Sequence, residues 1–415
     1  MLHIKKIVFT LSLMLISSAI FAQDILSLDS MISIIKTNNP ELKVYQEQMK
    51  SQDALVSGAS AWMAPMLGLG TFMTPYSNFS RAGNQQDGSL MLVAEQKIAN
   101  RSKIKASEAY LKAQSNITKQ LNADSFNDLR ALARSNYYDV LTVQKSLDYL
   151  LKNLLVLQNL KKLAEIRYTY NKAGLAQIYS MRAKIYETEN QITSAKANIE
   201  IGKIKLNTLM NRDKSIDFQI DTVQSSKPYI MQNDLTETIN NRSSVKMVNE
   251  QINSLNLENK MIATEAKPEF SIQFNHMQTY NTNNPNQFSL IGSLSIPIVP
   301  WAAKSFKSKL KANQFEVAAM QYQKENVTNN LLGLIATQQK HLMHMQMELN
   351  VYTDKILPAM QKSYEVLLLN YQENQEELNT VLTSFKELND SELNYLNMLN
   401  EYYQTLTEYE RNVEQ

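Results

Sequence analysis

The chain has 415 residues, 42 basic and 40 acidic side chains, no cysteine, and only nine Gly and nine Pro. This near balance of charge leaves no global field to recruit nucleic acid, and the absence of cysteine removes a disulfide framework, a thiolate nucleophile and a lipid-attachment thiol. So little Gly and Pro is low for a loop-rich enzyme and suits long helices.

Residues 1–22 read as a signal peptide: Lys5 and Lys6, an apolar run from Ile7, and small residues up to Ala22, with the mature chain starting at Gln23. A retained anchor is the competing reading, but Thr10, Ser12, Ser17 and Ser18 interrupt the run and no basic stop-transfer cluster follows. The working compartment is then outside the cytoplasm. No later stretch holds the roughly 18 to 20 uninterrupted apolar residues of a spanning helix, so any membrane crossing falls to strands.

A first repeat is predicted over 23–211. It opens with a helix from Pro40, with Asn39 as N-cap, to about Trp62. A β-hairpin follows over about 64–98, built on "PMLGLGTFMT" and "GSLMLVAEQKI". No Gly or Pro then occurs between Gly88 and Gly174, and Val140, Val143, Leu147, Leu150, Leu154 and Leu157 recur in steps of three and four, the seam of a coiled coil. One helix from about Ser102 to Tyr170 is expected, on the order of 100 Å long. It should turn near 171–174, with Gly174 left-handed, into a second helix from Leu175 to Leu209.

After a linker over 212–232 the plan repeats over 233–415, with a helix at 242–266, a hairpin over about 268–298, a long helix from about Ala303 to Tyr371, a turn near 371–375 and a last helix from Glu376 to about Tyr409. Leu42 and Val245, like Pro65 and Pro268, are 203 apart; Ile98 and Ile298, like Gly174 and Asn374, are 200 apart, which one loop-length difference reconciles. In the second hairpin Phe270, Ile272 and Phe274 alternate with Ser271, Gln273 and Asn275, and Phe288, Leu290, Leu294 and Ile296 oppose Ser289, Ser293 and Ser295. Such strands meet lipid on one side and water on the other, with Trp301 at the rim. Four strands leave edges that hydrocarbon does not tolerate, and a homotrimer giving twelve is the simplest closure. The fold class is therefore mainly α with a small β part: duplicated long helical hairpins forming a periplasmic coiled-coil tube, plus a trimeric 12-stranded barrel.

"NNPELKVY", "PMLGLG", "KPEFSIQF", "LSIPIVPW" and the turns "NKAGLAQIYSMRA" and "YQENQEELNTVL" follow one another in an order that resembles the TolC-type outer-membrane efflux family, over residues 26–412. The resemblance implies a non-enzymatic channel in the outer membrane of a Gram-negative bacterium. It would serve as exit duct of a tripartite efflux or type I secretion system, with a periplasmic adaptor (membrane fusion) protein and an RND-type or ABC-type inner-membrane pump as partners, outer-membrane lipid around it, and no cofactor. A periplasmic coiled-coil adaptor or scaffold is the alternative; it would have one helical hairpin flanked by Gly-rich β domains. Neither a Gly-rich phosphate loop nor a Gly-x-Ser-x-Gly elbow is present.

The resemblance places the second turn at the closed end. Glu373, Glu376 and Glu377 would there gather up to nine carboxylates around one axis and favour cations, unless they are a solvated helix start. Tyr170 and Lys172, with Tyr168, are candidates for bonds across to the neighbouring hairpin that hold the gate shut; the alternative is that they cover apolar surface. Adaptor contact through Gly174, Leu175, Ala176 and Gln177, with Asn374 at the second turn, rests on the resemblance alone. In "HLMHMQMELN", His341, Met343, His344, Met345 and Met347 have the side chains of a Cu(I) or Ag(I) site, but Met also fills gaps between helices.

Overall fold

A computed structural model describes residues 25–74, 76, 88–170, 174–221, 235–280 and 284–414. The expected signal peptide, residues 77–87, Lys172 and most of the expected linker lie outside the described residues. The elements run β1 (Ile25–Leu26), α1 (Leu28–Asn38), α2 (Pro40–Gly58), β2 (Met66–Phe72), β3 (Ser89–Ile98), α3 (Arg101–Thr169), α4 (Leu175–Leu209), β4 (Gln219–Ile220), α5 (Thr236–Asn241), α6 (Ser243–Ala263), β5 (Phe270–Thr279), β6 (Gln287–Leu294), α7 (Pro300–Val351), α8 (Leu357–Gln372) and α9 (Leu378–Val413). Residues 352–356 between α7 and α8 form a π-helical segment. No helix among the described residues is long and apolar enough to cross a membrane.

The chain divides into two compact units, residues 1–40, 126–233 and 334–415, and residues 41–125 and 234–333. Each unit draws on both sequence repeats, because both long arms, α3 and α7, contribute to both.

The first unit is mainly helical, with the short parallel strand pair β1–β4. Near the hairpin ends Leu157, Leu160 and Ala164 of α3, Met181 and Ile185 of α4, Tyr364 of α8 and Val381 and Phe385 of α9 form one core. Further along, Leu150 meets Ile192 and Ala195. Gly202 of α4 marks a close approach: a Cβ there would stand 2.2 Å from Val140 Cγ2 of α3. Polar side chains also join α3 to α9: Asp139 accepts from Asn400 Nδ2 (3.1 Å) and Gln404 Nε2 (2.9 Å), Arg134 pairs with Glu410 (2.7 Å), and Tyr138 stacks on Tyr403 at 4.4 Å. These bonds specify register, since sliding either helix by one turn would strand buried polar groups.

The second unit carries an antiparallel sheet in the order β2-β3-β5-β6. The hairpins of the two repeats meet along β3 and β5, with Ile98 opposite Phe270 and Ser89 opposite Thr279. Cross-strand register aligns Leu67, Ala94, Phe274 and Leu290 in one row and Leu69, Leu92, His276 and Phe288 in the next. This face is apolar apart from Thr71, His276 and the glutamines Gln96 and Gln278, and it is uncovered, with Leu67 76% and Phe288 72% exposed. The opposite face carries Ser271, Gln273 and Asn275, where Gln273 Nε2 donates to Asn275 Oδ1 (2.8 Å) and Asn275 Nδ2 to Ser289 Oγ (2.9 Å). The alternation expected for β5 and β6 holds, although β6 ends at Leu294, before Ile296.

Several sequence expectations are corrected. Asn39 stands, in extended backbone, between two helices: α1, which periodicity from Pro40 onward overlooked, ends before it, α2 begins after it at Pro40, and Asn39 Nδ2 donates to the Leu209 carbonyl at 2.9 Å. Gly174 is not left-handed; at φ −88°, ψ 147° it is the extended N-cap of α4. Its counterpart is Glu377, the N-cap of α9 and 203 residues on, so pairing Gly174 with Asn374 does not hold. The 203-residue spacing recurs between the starts of α2 and α6, while α3 and α7 start 199 apart. The second arm, 300–372 against 101–169, is thus four residues longer, and it contains the π-helical segment.

Candidate functional site

The two hairpin turns lie at the same end of the helical unit. Residues 369–375 close α8 by stereochemistry: Asn374 adopts φ 62°, its N–H reaches the Tyr371 carbonyl (3.1 Å), and the Gln375 N–H reaches the Asn370 carbonyl (2.8 Å). This is the paired bonding of a left-handed helix terminus, with Asn where Gly is usual. Asn211 (φ 52°) closes α4 in the same way.

Arg167, in the last turn of α3, ties this turn to the first hairpin. Its Nη2 donates to Asn374 Oδ1, and its guanidinium carbon lies 4.0 Å from the Tyr371 ring centroid. Arg167 is 9% exposed and Tyr371 is buried, so their stacking is shielded from water, while Asn374 lies at the exposed edge of the link. Sequence reading missed Arg167; a basic residue in a final helical turn suits the helix dipole, and nothing local points to a partner 207 positions away.

The acidic candidates sit beside this link. Glu373 and Glu377 are exposed, and Glu376 is half-buried with Oε1 accepting from the Glu377 N–H (3.1 Å). Tyr170 is exposed, its backbone N–H bonded to the Arg167 carbonyl. At the first turn the Gln177 carboxamide accepts from the Gly174 N–H (3.2 Å), while Leu175 and Ala176 are exposed. A polar groove of about 410 Å3 runs between α3, α4 and α9, lined by Asn153, Lys184, Thr188, Asn379, Asn389 and Asp390.

The His/Met stretch does not converge. Met345 is buried on the same side of α7 as Leu342 and Leu349, whereas His341, Met343, His344 and Met347 are exposed, and His344 Nε2 lies 3.2 Å from Glu348 Oε1. Helical geometry spreads these five positions around the axis, and the packing role describes Met345. No group of three or more His, Asp or Glu side chains among the described residues is arranged to hold a metal ion.

Two carboxyls of α9 are shifted. Burial raises Glu392 to about 8, and its Oε2 has no hydrogen-bond partner among the described residues. Burial also raises Glu410, against the lowering effect of Arg134 and Arg130.

No protein-family model and no curated protein sequence matches the chain. Solved structures do. The outer-membrane channel OprN superposes with a TM-score of 0.76 at 13% identity, over 93% of this chain and 89% of its own. CusC, studied for transmembrane channel formation, gives 0.75 at 14%, over 93% and 91%. The chain has the TolC-type outer-membrane channel fold. The Neisseria gonorrhoeae MtrE outer-membrane channel in its open state also shares this channel fold, at 0.68 and 12% identity, over 93% of this chain and 88% of its own. The match spans both units, so the exposed apolar sheet and the linked hairpin ends belong to one channel fold.

Proposed function

We propose that the chain is an outer-membrane exit duct of a tripartite efflux or type I secretion system, passing substrates received from a periplasmic adaptor and an inner-membrane pump. The observation that carries this reading is the four-stranded sheet with one uncovered apolar face, two edges unpaired among the described residues, and long helices leaving one end. An apolar face of that extent needs a covering phase, and open edges in hydrocarbon need further strands. Three copies supply both, as a 12-stranded barrel. A coiled-coil adaptor has no use for such a sheet, and the channel fold supports the duct over that alternative.

In this reading the hairpin ends form the gate. The Arg167–Asn374 link holds the closed arrangement, Glu373, Glu376 and Glu377 with Tyr170 and Lys172 surround the constriction, and the adaptor meets Gly174, Leu175, Ala176, Gln177 and Asn374 beside the polar groove. The role is transport, without bond-making chemistry. One experiment tests duct and gate together: full-length protein extracted from outer membranes is sized by light scattering and inserted into planar bilayers. A trimer with cation-selective conductance is expected, and joint replacement of the three glutamates by Gln should reduce that selectivity. A folded monomer without conductance refutes the duct; unchanged selectivity in the triple variant removes the glutamates from the constriction.

A further inference from the structure

The sheet end from which α3 and α7 depart carries a feature present in both repeats. Residues 96–107 contain no acid but include Lys97, Arg101, Lys103 and Lys105; residues 270–315 contain no acid but include Lys304, Lys307, Lys309 and Lys311. Lys97 lies at the end of β3, Arg101 and Lys103 lie in the first turn of α3 with Lys105 just after, and the second set occupies the second to fourth turns of α7; neither helix has an acid in its first turn. In the first turn of α3 the helix dipole favours acids, so Arg101 and Lys103 there cost stability unless something offsets them. Inside the protein, Lys103 pairs with Glu269 (2.7 Å) and Lys309 with Glu265 (3.0 Å). The other six are exposed and form no ion pair among the described residues.

The chain's only two tryptophans flank the same sheet end. Trp62 lies four residues before β2 and is 61% exposed; Trp301, at the start of α7, is 79% exposed. On α7 the buried side is set by Ala303 and Phe306, which pack on Ile262. At 100° per residue Trp301, Lys304 and Lys311 fall on the opposite side. Apolar strand face, exposed indole and unpaired cation therefore follow one another along the chain, the sequence of environments from hydrocarbon through interface to headgroup.

We propose that this collar binds anionic phospholipid headgroups of the periplasmic leaflet and thereby sets the depth of the barrel in the membrane. The inference rests on the duct reading. Charge complementarity and continuity with the apolar sheet face select lipid as the occupant: a second copy of the collar would bring like charges together. Cations near an anionic surface each favour binding by about fivefold, and the effect falls off within a Debye length of about 10 Å at 0.1 M salt.

Because Trp62 and Trp301 are the only tryptophans, their fluorescence reports the lipid at this boundary directly. Full-length trimer is reconstituted in phosphatidylcholine bilayers containing equal mole fractions of either brominated phosphatidylglycerol or brominated phosphatidylcholine. At low salt the brominated phosphatidylglycerol should quench about threefold more, the excess should vanish near 0.5 M salt, and replacing Lys97, Arg101, Lys105, Lys304, Lys307 and Lys311 by Gln should abolish it. The salt arm needs no variant, so an assembly defect in the variant leaves the test intact. Equal quenching by the two lipids at low salt overturns the collar, as does absence of quenching by either in protein that conducts. Protein that neither inserts nor conducts overturns the duct reading itself.

Discussion

Replacing Arg167 by Ala removes two interactions from each protomer without touching the glutamates. A hydrogen bond from a charged donor contributes about 1.5 to 3 kcal/mol, and a shielded guanidinium over a tyrosine ring about 0.5 to 2 kcal/mol. Because Arg167 and Tyr371 are both buried, the combined loss is about 2 to 5 kcal/mol per protomer. If the link exists only in the closed state, the closed-to-open ratio falls by about 30- to 5000-fold per protomer. Planar-bilayer recording should then show Arg167→Ala channels with high open probability where wild type is mostly shut. Arg167→Lys keeps the charge but loses the planar fork, and should be intermediate. Asn374→Gly gives up the acceptor while relaxing the left-handed position, so its net loss should be only about 1 kcal/mol. Tyr371→Phe keeps the ring, deletes a buried hydroxyl without a hydrogen-bond partner, and should be silent. Wild-type gating in Arg167→Ala, together with a lowered unfolding midpoint, would refute the reasoning: the link would then be packing common to both states.

Gly202→Ala gains about 1 kcal/mol of helix propensity but forces a Cβ to 2.2 Å from Val140 Cγ2. A buried valine in a helix cannot rotate away, so overpacking of about 1 to 3 kcal/mol should win. Denaturant unfolding should show net destabilisation, and Val140→Ala in the same background should recover part of it. Glu392 gives a pH signature. With its native value raised to about 8, the unfolded chain releases this proton above about pH 4.3 while the native chain keeps it, so stability falls as pH rises to about 8 and is level beyond. Glu392 is only half-buried, so solvent screening discounts the effect to about 1 to 2 kcal/mol. Glu392→Gln should therefore be more stable than wild type at pH 8 and equal to it below pH 4.3; parallel stability curves would show that the carboxyl is solvated.

The sequence by itself determined what depends on near neighbours. A long run without Gly or Pro whose apolar residues recur in steps of three and four favours a long helix, and α3 and α4 begin and end within a residue of expectation. Period-two alternation put Phe270, Ile272 and Phe274 on one face of β5, and the turn expected near 371–375 is closed by Asn374, one of the few residues that tolerate a left-handed conformation. Gly174 misled for the same reason: glycine permits a left-handed turn but equally permits the extended N-cap it adopts. Tertiary structure alone decided what joins distant residues. The pairing of β3 with β5 brings the two repeats into one sheet across a separation that leaves no trace in either strand. Arg167 finds Asn374 because α3 and α8 end side by side, and the His/Met stretch is dispersed because only Met345 faces the core. Local stereochemistry is written residue by residue, whereas a contact between distant residues exists only once the chain between them has folded.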